Sequence, residues 1–232
     1  MVMIYADGAD YNNILDLYSN KMISGFTTNP TLMRQAGITN YELFAKKVLN
    51  IIKDKPISFE VFADEFDEMY RQALKISSWG ENVNVKIPIT NTKGHSSENL
   101  IKNLSNLNIK CNVTAIFTIE QIEKILLLIN KSSDIILSIF AGRIADTGVN
   151  PIPLMIEAIE KTKNFPNVKI LWASTREALN IIQAEEIGCH IITVTPDIIK
   201  KISNFKKDLG EFSLETVEMF FNDAKKSGYS IN

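Results

Sequence analysis

A single lysine interrupts an alternating strand pattern in the stretch NVNVKIPIT, residues 82–90. Apolar residues at every second position predict a β-strand, where lysine is uncommon and seldom buried without a partner. Burial disfavours the charged form of an amine, and a neutral amine attacks carbonyl carbon to form a Schiff base. Lys86 is therefore a candidate nucleophile. The alternative is a buried ion pair of Lys86 with Glu60 or Asp7 that has only a structural role.

Schiff-base chemistry also needs a group that moves protons, and two carboxylates are candidates. Asp7 and Glu60 lie in the predicted strands MVMIYAD and ISFEVFA, whereas most other acidic residues fall on predicted helical faces, where solvation explains them. Metal-dependent chemistry is the rival, and it requires a cluster of histidines or carboxylates. The two histidines are His95, in a predicted loop, and His190, at a predicted strand start, so we predict no metal site.

These residues need a scaffold, and the chain alternates short β-branched runs with amphipathic helical patterns about eight times. Such strand–helix units, joined by right-handed crossovers, predict a (β/α)8 TIM-type barrel. We predict one barrel domain over residues 1–232, with an extra C-terminal helix at about 213–227. An open doubly wound sheet is the alternative, but it usually has fewer units, and the sequence shows no glycine fingerprint for a dinucleotide.

The first seven predicted strands share a pattern: one parity is apolar, and the other carries polar residues near the C-terminal end. In a closed barrel the polar parity faces the axis, and the active site of this fold lies at that end. Buried polar groups cost free energy unless they pair, so a functional site explains the pattern better than stability does. Residues of the opposite parity, such as Val85, Ile87 and Ala173, should pack under the helices. The residues of the inward parity are Asp7, Thr27, Asn29, Glu60, Asn84, Lys86, Asn112, Thr114, Ser138, Phe140 and Ser174.

Two arginines follow predicted strands and are candidates for binding phosphate. Arg143 follows SIFAG in a predicted loop after the sixth strand, and Arg176 follows WAST, where we expect the seventh helix to begin. A guanidinium group beside a helix N-terminus suits an anion. The alternative for each is a surface ion pair, with Asp146 for Arg143 and with Glu177 for Arg176.

Composition sets limits on partners and location. The 232 residues carry a net charge of −2 and have a sequence pI of about 5.8, so no basic field predicts binding to nucleic acid or to an anionic membrane. No apolar run is long enough to span a bilayer, and the N-terminus lacks the pattern of a signal peptide. Cys111 and Cys189 lie far apart and fit no metal-ligand spacing, which predicts a reduced, cytoplasmic setting.

The motifs GFTTNPTLM, NVKIPIT, NVTAIFT, SIFAGRI and WASTREAL resemble, in this order, those of the transaldolase family. The resemblance runs from Asp7 to about Thr195, and its TTNP and VKIP elements are fairly specific. The chain length and the late helix resemble the short, single-barrel branch of the family, which includes fructose-6-phosphate aldolases. The resemblance implies a TIM-type barrel whose Schiff-base lysine is on strand four, where Lys86 lies.

The resemblance also implies roles for the catalytic residues. Lys86 resembles the imine-forming lysine, and Asp7 resembles the acid/base that takes the proton from the C4 hydroxyl as the C3–C4 bond breaks. Glu60 and Thr114 resemble the pair that holds the water used in forming and hydrolysing the imine. No cofactor is implied, because the lysine itself is the electron sink.

The predicted substrate-binding residues form three groups: those expected to bond the dihydroxyacetone part, those expected at a phosphate, and two further inward residues. They are Asn29, Asn112 and Ser138; Arg143, Ser174 and Arg176; and Thr27 and Phe140.

Two branches of the family differ at four of these positions. At these positions this chain resembles true transaldolases, with Glu60, Asn112, Ser138 and Phe140. Fructose-6-phosphate aldolases usually have, in the same order, glutamine, a small residue, alanine and tyrosine. Ile139 and Thr175 depart from the family pattern, and they leave the acceptor preference open.

The favoured interpretation is a transferase that moves a dihydroxyacetone unit between sugar phosphates. One alternative is an aldolase that releases free dihydroxyacetone, and another is a phosphosugar-binding barrel without turnover. The pathway, whether central pentose phosphate metabolism or a specialised sugar route, stays open. Leu214, Val217, Phe220 and Phe221 form an apolar stripe that predicts a homo-oligomer through the C-terminal helix, and packing across the chain's own barrel is the alternative.

Overall fold

Strand pairing closes a barrel in the structure, a computed structural model that describes residues 1–231. Within this range, eight parallel strands pair in chain order, and the last pairs with the first. The predicted (β/α)8 TIM-type barrel is therefore confirmed. The strands are β1 (Met3–Asp7), β2 (Ile23–Thr27), β3 (Ile57–Glu60), β4 (Val83–Pro88), β5 (Cys111–Ile116), β6 (Ile135–Ile139), β7 (Val168–Trp172) and β8 (Ile191–Val194).

Helices connect the strands. They are α1 (Tyr11–Tyr18), α2 (Pro30–Gln35), α3 (Tyr41–Ile51), α4 (Phe66–Ser77), α5 (Glu98–Asn106), α6 (Ile119–Leu126), α7 (Ala141–Asp146), α8 (Ile152–Thr162), α9 (Leu179–Glu186), α10 (Pro196–Lys201) and α11 (Leu209–Ser227). No helix in the described part of the chain is both long and apolar enough to cross a bilayer.

The predicted C-terminal helix is present as α11, but it begins at Leu209, earlier than the predicted residue 213. Asp208 caps it by accepting hydrogen bonds from two backbone N–H groups of the first turn. The chain divides into two compact units, Met1–Ile199, which contains the barrel, and the residues from Lys200 onward, which contain α11. The single domain over residues 1–232 stays a prediction.

The run GFTTNP predicts a short strand that ends at Pro30, whereas in the structure the short helix α2 begins at that residue. Asn29 accepts a hydrogen bond from the backbone N–H of Leu32 at 2.9 Å, and Pro30 occupies the first turn. Both features are typical of a helix start. The Asn29 side chain bonds a backbone N–H that has no partner inside the helix, and proline has no backbone N–H that would need a partner. The same residues therefore end β2 and begin α2, which fixes Asn29 at the mouth of the barrel.

An apolar cluster inside the barrel corrects one expectation about parity. Ala173, which we expected under the helices, packs in this cluster with Tyr5, Ile136, Leu171 and Ile191. Leu171 and Trp172, the two residues of β7 before Ala173, are both apolar, so they could not decide which parity faces the axis. The ring of Tyr5 also requires a glycine on β2, because a Cβ at Gly25 would lie 2.7 Å from its ring carbons.

Candidate active site

A cavity of about 450 Å³ lies among the C-terminal ends of the strands, the end that carries the active site in this fold. It is lined by every predicted site residue except Arg176. The predicted residues that line it are Asp7, Thr27, Asn29, Glu60, Lys86, Asn112, Thr114, Ser138, Phe140, Arg143 and Ser174. Closure of the barrel thus brings together side chains that are far apart in the sequence.

Lys86 lies on β4, and its side chain is only 9% exposed. Its Nζ donates to the backbone oxygen of Thr28 at 2.6 Å and lies 3.3 Å from Oε2 of Glu60. The ion pair that the sequence left as an alternative is therefore present. Both partners also line the cavity, so the amine can be reached by a bound carbonyl compound.

Asp7 ends β1 beside Lys86. The hydroxyl of Thr27 donates to its Oδ1 at 2.8 Å, and Nδ2 of Asn29 makes a longer contact of 3.5 Å with Oδ2. Burial raises the pKa of the Asp7 carboxyl above its ordinary value, the Lys86 ammonium and the Thr27 hydrogen bond oppose that shift, and the Glu60 charge adds to it. A carboxyl with a raised pKa is suited both to accept a proton and to return it.

Glu60 lies at the end of β3, not in the middle of the strand as the pattern suggested. Its Oε1 is 3.5 Å from the hydroxyl of Thr114 on β5, and the Tyr41 hydroxyl accepts from its backbone N–H at 2.7 Å. One extra residue on β5 follows Thr114, where Ala115 has a positive φ of 58°. Such a bulge re-aims neighbouring side chains, here at the position that places Thr114 opposite Glu60.

A chain of buried hydrogen bonds joins side chains of β3, β5 and β6. The hydroxyl of Ser138 donates to Oδ1 of Asn112 at 2.6 Å, and Nδ2 of Asn112 donates to Oγ of Ser58 at 3.1 Å. All three side chains are buried, so their bonds offset the cost of desolvation. The chain fixes the amide of Asn112 in one orientation toward the cavity.

Phe140 follows β6 and contributes an aromatic wall. The centroid of its ring lies 6.0 Å from the ring centroid of Phe117. The same centroid lies 5.7 Å from the guanidinium carbon of Arg143. The sequence placed Arg143 in a loop, but it lies in the short helix α7. Arg143 is the arginine that lines the cavity, so it can meet an anion there.

Ser174 follows β7 in a left-handed conformation, with a φ of 63°. The backbone at Gly142 in α7 approaches it so closely that a Cβ on Gly142 would lie 1.6 Å from the Ser174 carbonyl oxygen. Only glycine fits this approach, because every other residue carries a Cβ. The contact joins the segment that carries Arg143 to the segment that carries Ser174.

Arg176 is the predicted residue that the structure does not bring to the cavity. Its Nε donates to Oδ1 of Asp146 at 3.0 Å, and its Nη2 pairs with Oδ2 of the same carboxylate. The surface ion pair considered for this arginine is present, but its partner is Asp146 instead of Glu177. Helix α9 also begins later than expected, at Leu179, so Arg176 lies in the preceding loop.

Sequence analysis missed several cavity residues. Thr193 on β8 lines the cavity, and its hydroxyl oxygen lies 2.5 Å from that of Thr27. The alternation in HIITVTP was a signal for Thr193, since its parity matches that of the inward residues. Leu171 and Gln35 also line the cavity and carried no comparable signal, because a buried leucine and an exposed glutamine are common.

Histidine, cysteine and carboxylate side chains were also candidates for a metal site or for a thiol nucleophile. Among residues 1–231, no three histidine, cysteine, aspartate or glutamate side chains come together in a way that could hold a metal ion. Cys111 and Cys189 are buried, and burial raises the pKa of each thiol to about 12. Neither thiol is therefore a nucleophile near neutral pH.

Known proteins resemble this chain over nearly its whole length. The sequence profile of the family described as Transaldolase/Fructose-6-phosphate aldolase matches residues 4–232. The chain belongs to this family. Within the transaldolase/fructose-6-phosphate aldolase family, similar proteins include a probable transaldolase of Caldicellulosiruptor saccharolyticus, 32% identical over 96% of this chain and 97% of that protein. A probable transaldolase of Brucella anthropi is 32% identical over 98% of both chains.

A solved structure shows the same fold at low sequence identity. The crystal structure of 2,3-dimethylmalate lyase, a PEP mutase/isocitrate lyase superfamily member, matches with a TM-score of 0.57 and 11% identity. The match covers 100% of this chain and 85% of that chain. At this identity it supports the barrel fold alone. The family match and the named relatives, in contrast, indicate a transaldolase-like enzyme.

Proposed function

We propose that this chain is a transaldolase that transfers a dihydroxyacetone unit between sugar phosphates through a Schiff base on Lys86. The observation that carries the proposal is the lysine itself: its nearly buried amine lies on the cavity wall, 3.3 Å from Glu60 and beside the half-buried carboxyl of Asp7. A nucleophile and two differently held carboxylates in one cavity are the parts that Schiff-base chemistry requires.

The proposed reaction uses these residues in turn. Lys86 first gives a proton to Glu60, 3.3 Å away, and its amine then adds to the ketone carbon of the donor. Water leaves to give the imine, with Glu60 and Thr114 holding that water. The Asp7 carboxylate then removes the proton of the C4 hydroxyl. The C3–C4 bond breaks, its electron pair moves toward the imine nitrogen to give an enamine, and an aldehyde leaves.

Transfer reverses these steps with a second aldehyde. The enamine carbon attacks the acceptor carbonyl, Asp7 returns its proton to the new hydroxyl, and water hydrolyses the imine to free Lys86. Asn29, Asn112 and Ser138 would bond the hydroxyls of the three-carbon unit, and Arg143 with Ser174 would bind the phosphate. No other reactant enters, so atoms and electrons balance within the two sugars.

The imine gives the proposal its test. Incubation with fructose 6-phosphate and borohydride should add the reduced three-carbon or six-carbon unit to Lys86, as located by mass spectrometry of peptides. Lys86→Met should lose the adduct and all turnover, while Lys102→Met, at an exposed lysine of α5, should keep both. An unlabelled wild type that still binds sugar phosphate would point to a binding barrel without turnover.

Phe140 addresses the choice between transferase and aldolase. After cleavage, a transferase must keep the enamine from being protonated and hydrolysed before an acceptor arrives. A phenyl ring at the cavity wall excludes water and cannot orient it, whereas a phenol can hold a water or relay a proton. We therefore propose that transfer exceeds release of free dihydroxyacetone in this chain.

Phe140→Tyr should shift this balance toward release, with little change in stability because the ring volume is nearly kept. The measurement is dihydroxyacetone formed from fructose 6-phosphate, with and without erythrose 4-phosphate. Phe117→Tyr is the matched control, because that ring lies 6.0 Å away and does not line the cavity. If the wild type releases dihydroxyacetone as fast as it transfers it, the chain is an aldolase.

A further inference from the structure

Three hydroxyl and carboxyl groups on adjacent strands form a row at one side of the cavity. The Thr193 hydroxyl oxygen on β8 lies 2.5 Å from that of Thr27 on β2, and Thr27 lies 2.8 Å from Oδ1 of Asp7 on β1. Thr193 is buried, with 7% of its surface exposed, and its contact with Thr27 is buried as well. The row ends at the carboxylate to which the proposed function gives the proton transfer.

The protons in this row have one consistent arrangement when Asp7 is ionised. A hydroxyl group has a single proton, and a carboxylate can only accept. Because Thr27 gives its proton to Asp7, the short contact between the two threonines requires Thr193 to be the donor there. Thr27 then accepts one bond and donates one, Asp7 accepts one, and the direction runs from Thr193 to Thr27 to Asp7.

We propose that Thr193 is a positioning residue for Asp7: its hydroxyl holds Thr27 as a fixed donor to Oδ1 and leaves Oδ2 for the substrate. Among residues 1–231, the hydrogen-bond contact of Oδ2 is the 3.5 Å one with Asn29, so Oδ2 is the oxygen open to a hydroxyl in the cavity. The catalytic meaning of this inference rests on the proposed function, but the hydrogen-bond arrangement does not.

A side-chain hydrogen bond from Thr175 holds the backbone of β8 at Thr193. The hydroxyl of Thr175, which follows β7, donates to the backbone oxygen of Thr193 at 2.7 Å. The backbone pairing of β7 with β8 ends at Trp172 and Ile192. The Thr175 bond therefore links the two segments just beyond the last backbone pair. The Thr175 side chain therefore helps to hold the backbone at Thr193.

Other charges act on Asp7 and would remain when Thr193 is changed. Lys86 on β4 lowers the pKa of the Asp7 carboxyl and Glu60 on β3 raises it. Arg143 lines the same cavity, and Asp10 and Asp197 line a neighbouring cavity that Asp7 also borders. Removal of the Thr193 hydroxyl changes none of these groups, but it lets Thr27 turn its proton away from Asp7. The ionised form then loses a fixed donor, so the pKa of Asp7 should rise.

The test titrates Asp7 directly and needs no turnover. Protein labelled with ¹³C at aspartate carboxyls is titrated by NMR in the absence of substrate, and the Asp7 signal is assigned by its loss in Asp7→Asn. Thr193→Val and Thr193→Ala should raise the titration midpoint of Asp7 by about half a pH unit or more, as expected for loss of one hydrogen bond. Thr193→Ser, which keeps the hydroxyl, should restore the wild-type midpoint.

The outcomes separate a positioning role from a structural one. If both hydroxyl-free variants fold but titrate like the wild type, or titrate at lower pH, the inference is wrong. A lower melting temperature with an unchanged midpoint would mean that Thr193 only supports the barrel. For the active enzyme, Thr193→Val should move the acidic limb of kcat to higher pH with little change in KM. A wild type that forms no imine would instead overturn the proposed function, and the titration would still decide this inference.

Discussion

Asp7 should destabilise the fold in its charged form. In an unfolded chain an aspartate has a pKa of about 3.9, and burial raises the pKa of Asp7 in the folded protein above that value. Below the unfolded-state pKa the carboxyl is neutral in both states and costs nothing. As the pH rises from there to the folded-state pKa, the unfolded state releases its proton first, and stability falls.

Asp7→Asn should therefore raise the melting temperature at pH 7, and the gain should shrink toward zero near pH 3. Asparagine keeps an oxygen that can accept the Thr27 proton, so the change removes mainly the charge. Thermal unfolding measured across this pH range gives the result, and Asp223→Asn, at an exposed aspartate of α11, is the control without a gain. A gain of equal size at both pH values would contradict this account.

Single residues differ in how much their type reveals. Lys86, Asp7 and Glu60 could be picked out from the sequence, because a charge inside an apolar strand has few explanations. Thr193 carried a weaker signal, since its parity in HIITVTP fits the inward residues but threonine is a common strand residue. The pairing of Arg176 with Asp146 in place of Glu177 depends on where two loops meet, which no local pattern encodes.

At the scale of elements, two positive-φ residues shape the rim of the cavity. Ala115 lies in the bulge of β5, and Ser174 turns the chain just after β7. Strand periodicity assumes one residue for each step of the pleat, so it loses the parity wherever such a residue intervenes. This explains why the barrel and most inward residues were predictable, whereas the facing of Ala173, directly before Ser174, was not.

Gly142→Ala tests whether the contact between α7 and the end of β7 holds the proposed phosphate side together. A Cβ 1.6 Å from the Ser174 carbonyl forces the backbone apart, so we expect a loss of stability of about 1–3 kcal/mol. KM for phosphorylated substrates should rise more than KM for their unphosphorylated analogues, because Arg143 and Ser174 separate. The measurements are chemical unfolding and steady-state kinetics.

The control for this substitution is Gly8→Ala, where an added Cβ meets nothing within 4 Å. It reports the effect of adding a methyl group to a glycine without a clash, which is small or stabilising when φ permits it. A Gly142→Ala protein as stable as Gly8→Ala, with unchanged KM values, would mean that the close approach does not constrain the site.

For the whole molecule, closure of the barrel is the step that assembles the site. The residues Asp7 and Thr193 are at opposite ends of the barrel sequence, yet their strands are neighbours because β1 pairs with β8. A sequence pattern can therefore predict which side chains face the axis, since every inward side chain of a closed barrel converges there. It cannot predict which of them bond one another, because register and bulges set those pairs.

The C-terminal helix α11 carries an exposed apolar stripe that bears on oligomer formation. On α11, Leu214, Val217, Phe220 and Phe221 are 60–67% exposed, and together they form the apolar stripe seen in the sequence. Each large side chain of this kind gains about 1.5–3 kcal/mol when it is fully buried. Contiguous exposed apolar surface of this sort marks an interface. We predict that the stripe packs against a second copy of the chain.

Light scattering after gel filtration at micromolar concentration should give a mass that is a multiple of the 26.1 kDa chain. A double variant, Phe220→Glu with Phe221→Glu, should be monomeric. Burial of two carboxylates without partners in the interface would cost more free energy than association releases. Asn222→Glu adds charge to the same helix away from the stripe and should leave the mass unchanged. A wild type of monomeric mass would contradict the prediction and favour packing within one chain, whereas a double variant that stays assembled would place the interface elsewhere.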